Sequence, residues 1–153
     1  MSKLTVTKRF TFDCAHMLTG HEGLCQNLHG HTYLLDVTVS HKHGKIKDGP
    51  SAQMVIDFKT LKDIVNSLIV NKFDHSLVVD KTNDVGVVGA EGHFAEVGRL
   101  FNLRLVEFPG RPTAENMAEF FFDIVVGAFD KTDIVVEGIR VWETATSYAE
   151  VTR

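Results

Sequence analysis

Cysteine is scarce in this chain, with two in 153 residues. Cys14 and Cys25 are too few for a disulfide framework, so two free thiols in a reducing, cytoplasmic setting are expected. Long apolar runs are also missing. None approaches the roughly 20 residues that a membrane span needs, which argues against a membrane partner. The opening Met-Ser-Lys-Leu-Thr-Val-Thr-Lys has no apolar core of signal-peptide length. No basic block offsets the net charge of -4, which argues against nucleic acid as the main partner, because phosphate neutralisation needs a lysine/arginine patch. An anionic small substrate remains compatible, since local charge can oppose net charge. The chain is 44% hydrophobic and 24% charged, so bulk disorder is excluded. Its length fits one domain, residues 1–153, able to bury its core without staples.

Alternation of apolar and polar residues predicts a strand over 3–13, with a slip near Thr7 that would be a bulge, and a second over 31–41. A loop over about 17–27 joins them, so an antiparallel pair is expected. Asp57 is a good N-cap, and Leu61, Ile64, Val65, Leu68 and Ile69 follow the i, i+3, i+4 pattern of a helix over 58–70. Glycines break the periodicity between 80 and 101, which reads as a loop or partly helical insertion. Leu103, Leu105 and Phe108 allow a short strand before Pro109-Gly110. Thr113 caps a second helix with Met117, Phe120, Phe121, Ile124 and Val125 on its apolar face. Strands over 133–144 and 147–152 close the chain. The order strand, strand, helix, helix, strand, strand predicts one α+β domain. Two helices cover one sheet face only. The other face is expected to carry several Val, Leu and Phe, and so to drive homo-oligomer formation.

The chemistry centres on Cys25-Gln26-Asn27-Leu28-His29-Gly30-His31. Residues two apart on a strand share a face, so His29 and His31 point together, and Gly30 between them permits close approach. His16 ends the preceding strand, and an antiparallel pair would bring all three to one end. Three imidazoles suit Zn2+ with an open fourth position. A surface His-x-His pair is the plainer reading of His29 and His31 alone. Cys25, beside a cation and imidazoles, is biased towards thiolate and fits a base or nucleophile. It fits a fourth metal ligand equally well, and spacing does not separate the two. Cys14 reads as a small buried hydrophobe. His21, His41, His43 and His93 fall in loops, and of these His21 alone competes as a ligand. Asp74-His75 has the layout of an acid–base pair, or of a polar loop. Glu143 at a strand end is able to grip a guanidine-like ring edge through two hydrogen bonds, or is simply solvated.

Taken in order, His16 after Phe12-Asp13-Cys14-Ala15, Cys25-x-x-x-His29-Gly30-His31, Met54-Val55-Ile56-Asp57-Phe58, Asp74-His75, Pro112-Thr113-Ala114-Glu115-Asn116 and Trp142-Glu143-Thr144 resemble the 6-pyruvoyltetrahydropterin synthase / 6-carboxytetrahydropterin synthase family. The resemblance spans about residues 10–148. It implies a tunnelling fold: a four-stranded antiparallel sheet with two helices, sheets joining into a barrel, as a trimer or dimer of trimers with active sites between subunits. It implies zinc on His16, His29 and His31, Cys25 as base with Asp74 and His75 as partners, and Glu143, which grips the pterin, and Thr113 as substrate-binding residues. The implied substrate is 7,8-dihydroneopterin triphosphate. The three-residue gap between Cys25 and His29 is similar to the carboxy branch, which loses acetaldehyde and triphosphate in the queuosine (7-deazaguanine) pathway. The pyruvoyl branch, and a non-catalytic zinc-containing pterin or purine binder, are the alternatives. The stretch over about 80–109 is longer than in compact bacterial members.

Overall fold

The computed structural model describes residues 2–82 and 90–153. The expected strand pair is β1 (Val6–His16) and β2 (His29–His41), antiparallel from Val6↔Val39 to His16↔His29 without interruption. The expected bulge near Thr7 is absent. Lys8 keeps the alternation by lying on the apolar face, with its ammonium 5.8 Å from the ring centres of Phe10 and Phe58; a lysine stem packs on apolar surface while its charge stays wet.

Helix α1 (Phe58–Val65) starts at Asp57, whose carboxylate accepts the amides of Lys59 and Thr60. It runs through a π-helical turn (Asn66–Val70) into the single turn α2 (Asn71–Phe73). Leu61, Val65, Ile69 and Phe73 are all buried at four-residue intervals. Such spacing drifts about 40° per step against a 3.6-residue turn, and the wider π turn compensates for part of that drift. β3 (Ser76–Asp80) follows. The stretch expected as an insertion holds α3 (Ala90–Leu100) and β4 (Leu105–Phe108), while part of it lies outside the described residues. α4 (Ala114–Phe129) and the hairpin of β5 (Ile134–Thr144) and β6 (Ser147–Thr152) complete the chain.

The sheet has six strands in the order β4-β3-β1-β2-β5-β6, not four. The antiparallel set β1, β2, β5 and β6 is as expected, but β3 pairs parallel to β1 and β4 parallel to β3. β3 escaped notice because Leu77, Val78 and Val79 form a short apolar run without alternation. The core lies between the sheet and the helices. Phe10, Phe12, Tyr33, Leu35, Val37 and Val39 meet Leu61, Ile69, Met117, Phe121 and Val125 there.

The opposite sheet face carries Leu77, Val79 and Leu105 on β3 and β4, but over β1, β2, β5 and β6 it is mostly polar, against the expectation of an apolar free face. By register it carries Thr7, Arg9, Thr11, Asp13, Thr32, Asp36, Thr38, Arg140 and Glu150, with Leu34, Trp142 and Tyr148 among them. Every other β1 or β2 position is already spent on the core, so the apolar residues fall on one side. Four exposed apolar side chains, Val97, Leu100, Phe101 and Leu103, gather on α3 and the turn after it, while Leu4, Leu24, Leu28, Met54, Phe58 and Tyr148 are exposed elsewhere. Among the described residues no helix is long and apolar enough to cross a membrane.

Candidate metal centre

Register makes the cluster. His16 pairs directly with His29, and Cys14 with His31, so all four side chains lie on the core face at one end of the β1–β2 pair. The three imidazoles present ligand atoms within 4.8 Å of one another, and no cysteine sulfur belongs to the group. His16 is fully buried, and its Nδ1 lies 2.7 Å from the Pro112 carbonyl. A carbonyl only accepts, so Nδ1 carries the proton and Nε2 presents a lone pair. His29 is set likewise by the Asn27 carbonyl, 2.7 Å from its Nδ1. The two Nε2 atoms stand 3.1 Å apart, and His31 Nε2 is buried without any hydrogen-bond partner. Lone pairs facing each other beside an orphaned buried nitrogen leave a place that a cation fits. Carbonyl-oriented imidazoles are the usual support for zinc ligands.

Glu143 Oε1 is 3.6 Å from both His16 Nε2 and His31 Nε2. Beneath the cluster the Tyr33 hydroxyl lies 3.4 Å from each ring nitrogen of His16. Burial pushes the Tyr33 hydroxyl up, Cys14 and Glu143 adding to it, so it stays protonated. Burial lowers His16, with its imidazole neighbours assisting and Pro112 and Glu143 opposing, and lowers His31, with Glu143 opposing. Both rings are therefore neutral in the fold. The unfolded chain binds protons near the ordinary His value of about 6.5 that the folded state refuses. Stability of the chelator-treated protein is expected to hold above that value and fall as pH drops below it. Melting temperatures at pH 7.5 and 5.5 test this, and equal values would contradict it. Bound metal would be displaced over the same range, since protons compete for Nε2.

Gly30 lies between two of these histidines, and a Cβ there would meet the Cys14 carbonyl at 3.0 Å. Gly30→Ala gains up to about 1 kcal/mol from the unfolded state but forces a backbone contact costing about 1–3 kcal/mol. The clash dominates, and thermal unfolding should show a net loss.

Cys25 sits in a single 3-10 turn (Leu24–Gln26), half-buried and without a side-chain hydrogen bond; its carbonyl accepts the Leu18 amide. Cys14 is buried, which pushes its thiol up to about 12. Asp74 and His75 pair with each other, Oδ2 to Nδ1 at 2.9 Å. They are tied to β1, where the Asp13 amide donates to Asp74 Oδ1 and the Asp13 carbonyl accepts from the His75 amide. The Asp13 amide, with His75 assisting, holds the Asp74 carboxyl below its ordinary value. His75 has φ +58, an uncommon conformation for a non-glycine residue, and its side chain is 78% exposed. A concavity of about 490 Å³ runs past His75, Ser76, Cys14 and His31. No hydrogen bond or ion pair links Cys25 to Asp74 or His75. Thr113 is the N-cap of α4, its hydroxyl accepting from the Asn116 amide. His21 accepts the Gly23 amide in its own turn and stays outside the cluster. Sequence reasoning missed Tyr33, whose position two residues after His31 was the available signal, and the Pro112 and Asn27 carbonyls, which had none.

The family profile described as 6-pyruvoyl tetrahydropterin synthase matches residues 5–153. The chain belongs to that family. It is 40% identical over 146 residues to the 6-carboxy-5,6,7,8-tetrahydropterin synthase of Haemophilus influenzae, covering 95% of this chain and 96% of the relative. It is 33% identical over 168 residues to the protein of the same name from Aquifex aeolicus, covering 97% of each. Relatives so named support the carboxy branch of the family. Among solved structures, the 6-pyruvoyl tetrahydropterin synthase of Plasmodium falciparum superposes with a TM-score of 0.68 at 19% identity, over 100% of this chain and 99% of that one. The Caenorhabditis elegans enzyme gives 0.64 at 22%, over 100% and 97%. These structural matches establish the shared α+β fold.

Proposed function

We propose that this chain is a zinc-dependent 6-carboxy-5,6,7,8-tetrahydropterin synthase. It would act as a carbon–carbon lyase on 7,8-dihydroneopterin triphosphate, releasing acetaldehyde and triphosphate. The observation that carries this reading is the cluster of three imidazoles with a buried, unpartnered Nε2 and the Glu143 carboxylate beside it. His16, His29 and His31 hold the metal. Zinc bound there supplies Lewis-acid polarisation of the substrate's side-chain oxygens. Glu143 accepts hydrogen bonds from the pterin ring edge and orients it. Cys25 Sγ takes a proton from the substrate side chain. His75 donates Nδ1–H to Asp74, which leaves Nε2 outward for proton exchange. With its ring in solvent and no tie to Cys25 in the chain, the pair serves a site completed by a neighbouring copy. The polar sheet face and the exposed edges of β4 and β6 fit a barrel of several copies, as a trimer or dimer of trimers, acting in the cytoplasm as one domain per chain.

Incubation with 7,8-dihydroneopterin triphosphate, with and without a zinc chelator, tests this. Acetaldehyde and a product of carboxytetrahydropterin mass are expected, and chelation should abolish both. Triphosphate release without acetaldehyde would favour pyruvoyl formation, and binding without turnover a pterin-binding role.

A further inference from the structure

Glu143 lies where neither neighbouring strand fixes it. The β2–β5 ladder ends at Leu34↔Trp142, one residue short, and the β5–β6 register shifts between Trp142 and Thr144. Glu143, whose carboxylate faces the histidines, is thus an unpaired residue bracketed by Thr144, which pairs with Ser147, and by Trp142, the last residue of β5 paired on both sides. The anchor of Trp142 is a side-chain cluster on the opposite sheet face. The indole Nε1 donates to Asp36 Oδ2 at 3.0 Å. Asp36 is buried and takes both arms of Arg9, Nε to Oδ1 at 2.7 Å and Nη2 to Oδ2 at 2.8 Å. The guanidinium groups of Arg9 and Arg140 lie 5.6 and 5.7 Å from the indole centre, and the Tyr148 ring lies 4.5 Å from it. The indole thus has a fixed position and a fixed rotation about its own bond. A bidentate arginine–carboxylate pair is the geometry best able to supply that rigidity.

We propose that Trp142, held by Asp36 and Arg9 across three strands, is a positioning residue that aims Glu143 at the pterin. This rests on the reading of Glu143 as the pterin anchor. The cluster touches neither the cluster of histidines nor the concavity near them, so it acts only through the residue that follows it in the chain. Its action is specific: loss of the indole N–H loosens the Trp142 side of the bulge and lets the Glu143 carboxylate swing, while the metal ligands on β1 and β2 stay in place.

The test is Trp142→Phe, which keeps an aromatic ring but removes the donor, with Asp36→Asn as a second variant should the first fail to fold. Binding of neopterin, an oxidised pterin that cannot turn over, is expected to weaken about tenfold, the value of one charge-assisted hydrogen bond lost or misdirected. Zinc content should stay unchanged, and KM should rise more than kcat falls. In a Glu143→Gln background the same change should add no more than about twofold, because the two residues act in series. Equal losses in both backgrounds, or no loss in either, would overturn the proposal. Full neopterin affinity in Glu143→Gln alone would overturn the pterin reading instead. A crystal structure of Trp142→Phe decides the clamp independently. A carboxylate displaced by about 1 Å or more from His31 Nε2 is expected, a looseness that disables a site, and an unmoved carboxylate would refute it.

Discussion

His16→Ala is expected to yield a protein without zinc, without turnover and with reduced stability. The imidazole is fully buried at the centre of the cluster, Nε2 facing His29 and Nδ1 on Pro112. Two histidines remain, too few for a catalytic zinc site. Truncating a large buried side chain costs about 2–5 kcal/mol, and the abandoned Pro112 carbonyl adds about 1–3 kcal/mol if water does not reach it. His31→Ala separates metal from fold. Its side chain is 21% exposed and its Nε2 has no protein partner to abandon, so zinc should be lost with a far smaller drop in the melting temperature of the chelated protein. Metal analysis and thermal unfolding of both variants decide the matter. A full equivalent of zinc in His16→Ala would show that these imidazoles are not the site.

Cys25→Ala should do the reverse, keeping zinc and fold while losing catalysis. The residue is half-buried in a short turn, and what its backbone contributes, the carbonyl accepting Leu18 N–H, survives truncation. Removal of a positioned base costs about 10²–10⁴ in rate. His75→Ala should lower turnover to a similar degree without loss of zinc. If Asp74 and His75 serve the Cys25 of a neighbouring copy, co-refolded Cys25→Ala and His75→Ala chains should regain activity that neither has alone. Loss of zinc along with Cys25 would mark a closed, four-ligand structural site and sink the catalytic reading.

Much of this was legible in the chain. His29-Gly30-His31 places two imidazoles on one face of any strand, and the apolar periodicities at 58–70 and 113–125 correspond to α1 and α4 within a few residues. What failed did so for a physical reason. β3 is short, apolar and parallel, buried from both sides, and has no alternation to betray it. Lys8 broke the apparent pattern because its stem is apolar although its head is charged. Apolar residues of the free face, Leu77, Val79 and Leu105, sit on β3 and β4, which the alternation within β1 and β2 does not reveal.

Residue types and spacing by themselves put forward the candidate ligands, Asp74-His75 as a candidate acid–base pair and Glu143 as a candidate anchor, because these depend on what each side chain is and which way a strand or helix turns it. Only the tertiary structure decided that His16 pairs with His29 in register, that Pro112 and Asn27 carbonyls turn both Nε2 atoms inward, and that Glu143 arrives against the cluster from β5. Apart from the local Asn27–His29 contact, those relations join residues 13 positions apart, as His16 and His29 are, or many more, as the 96 between His16 and Pro112, and only the pairing of strands and the packing of α4 on the sheet bring them within reach.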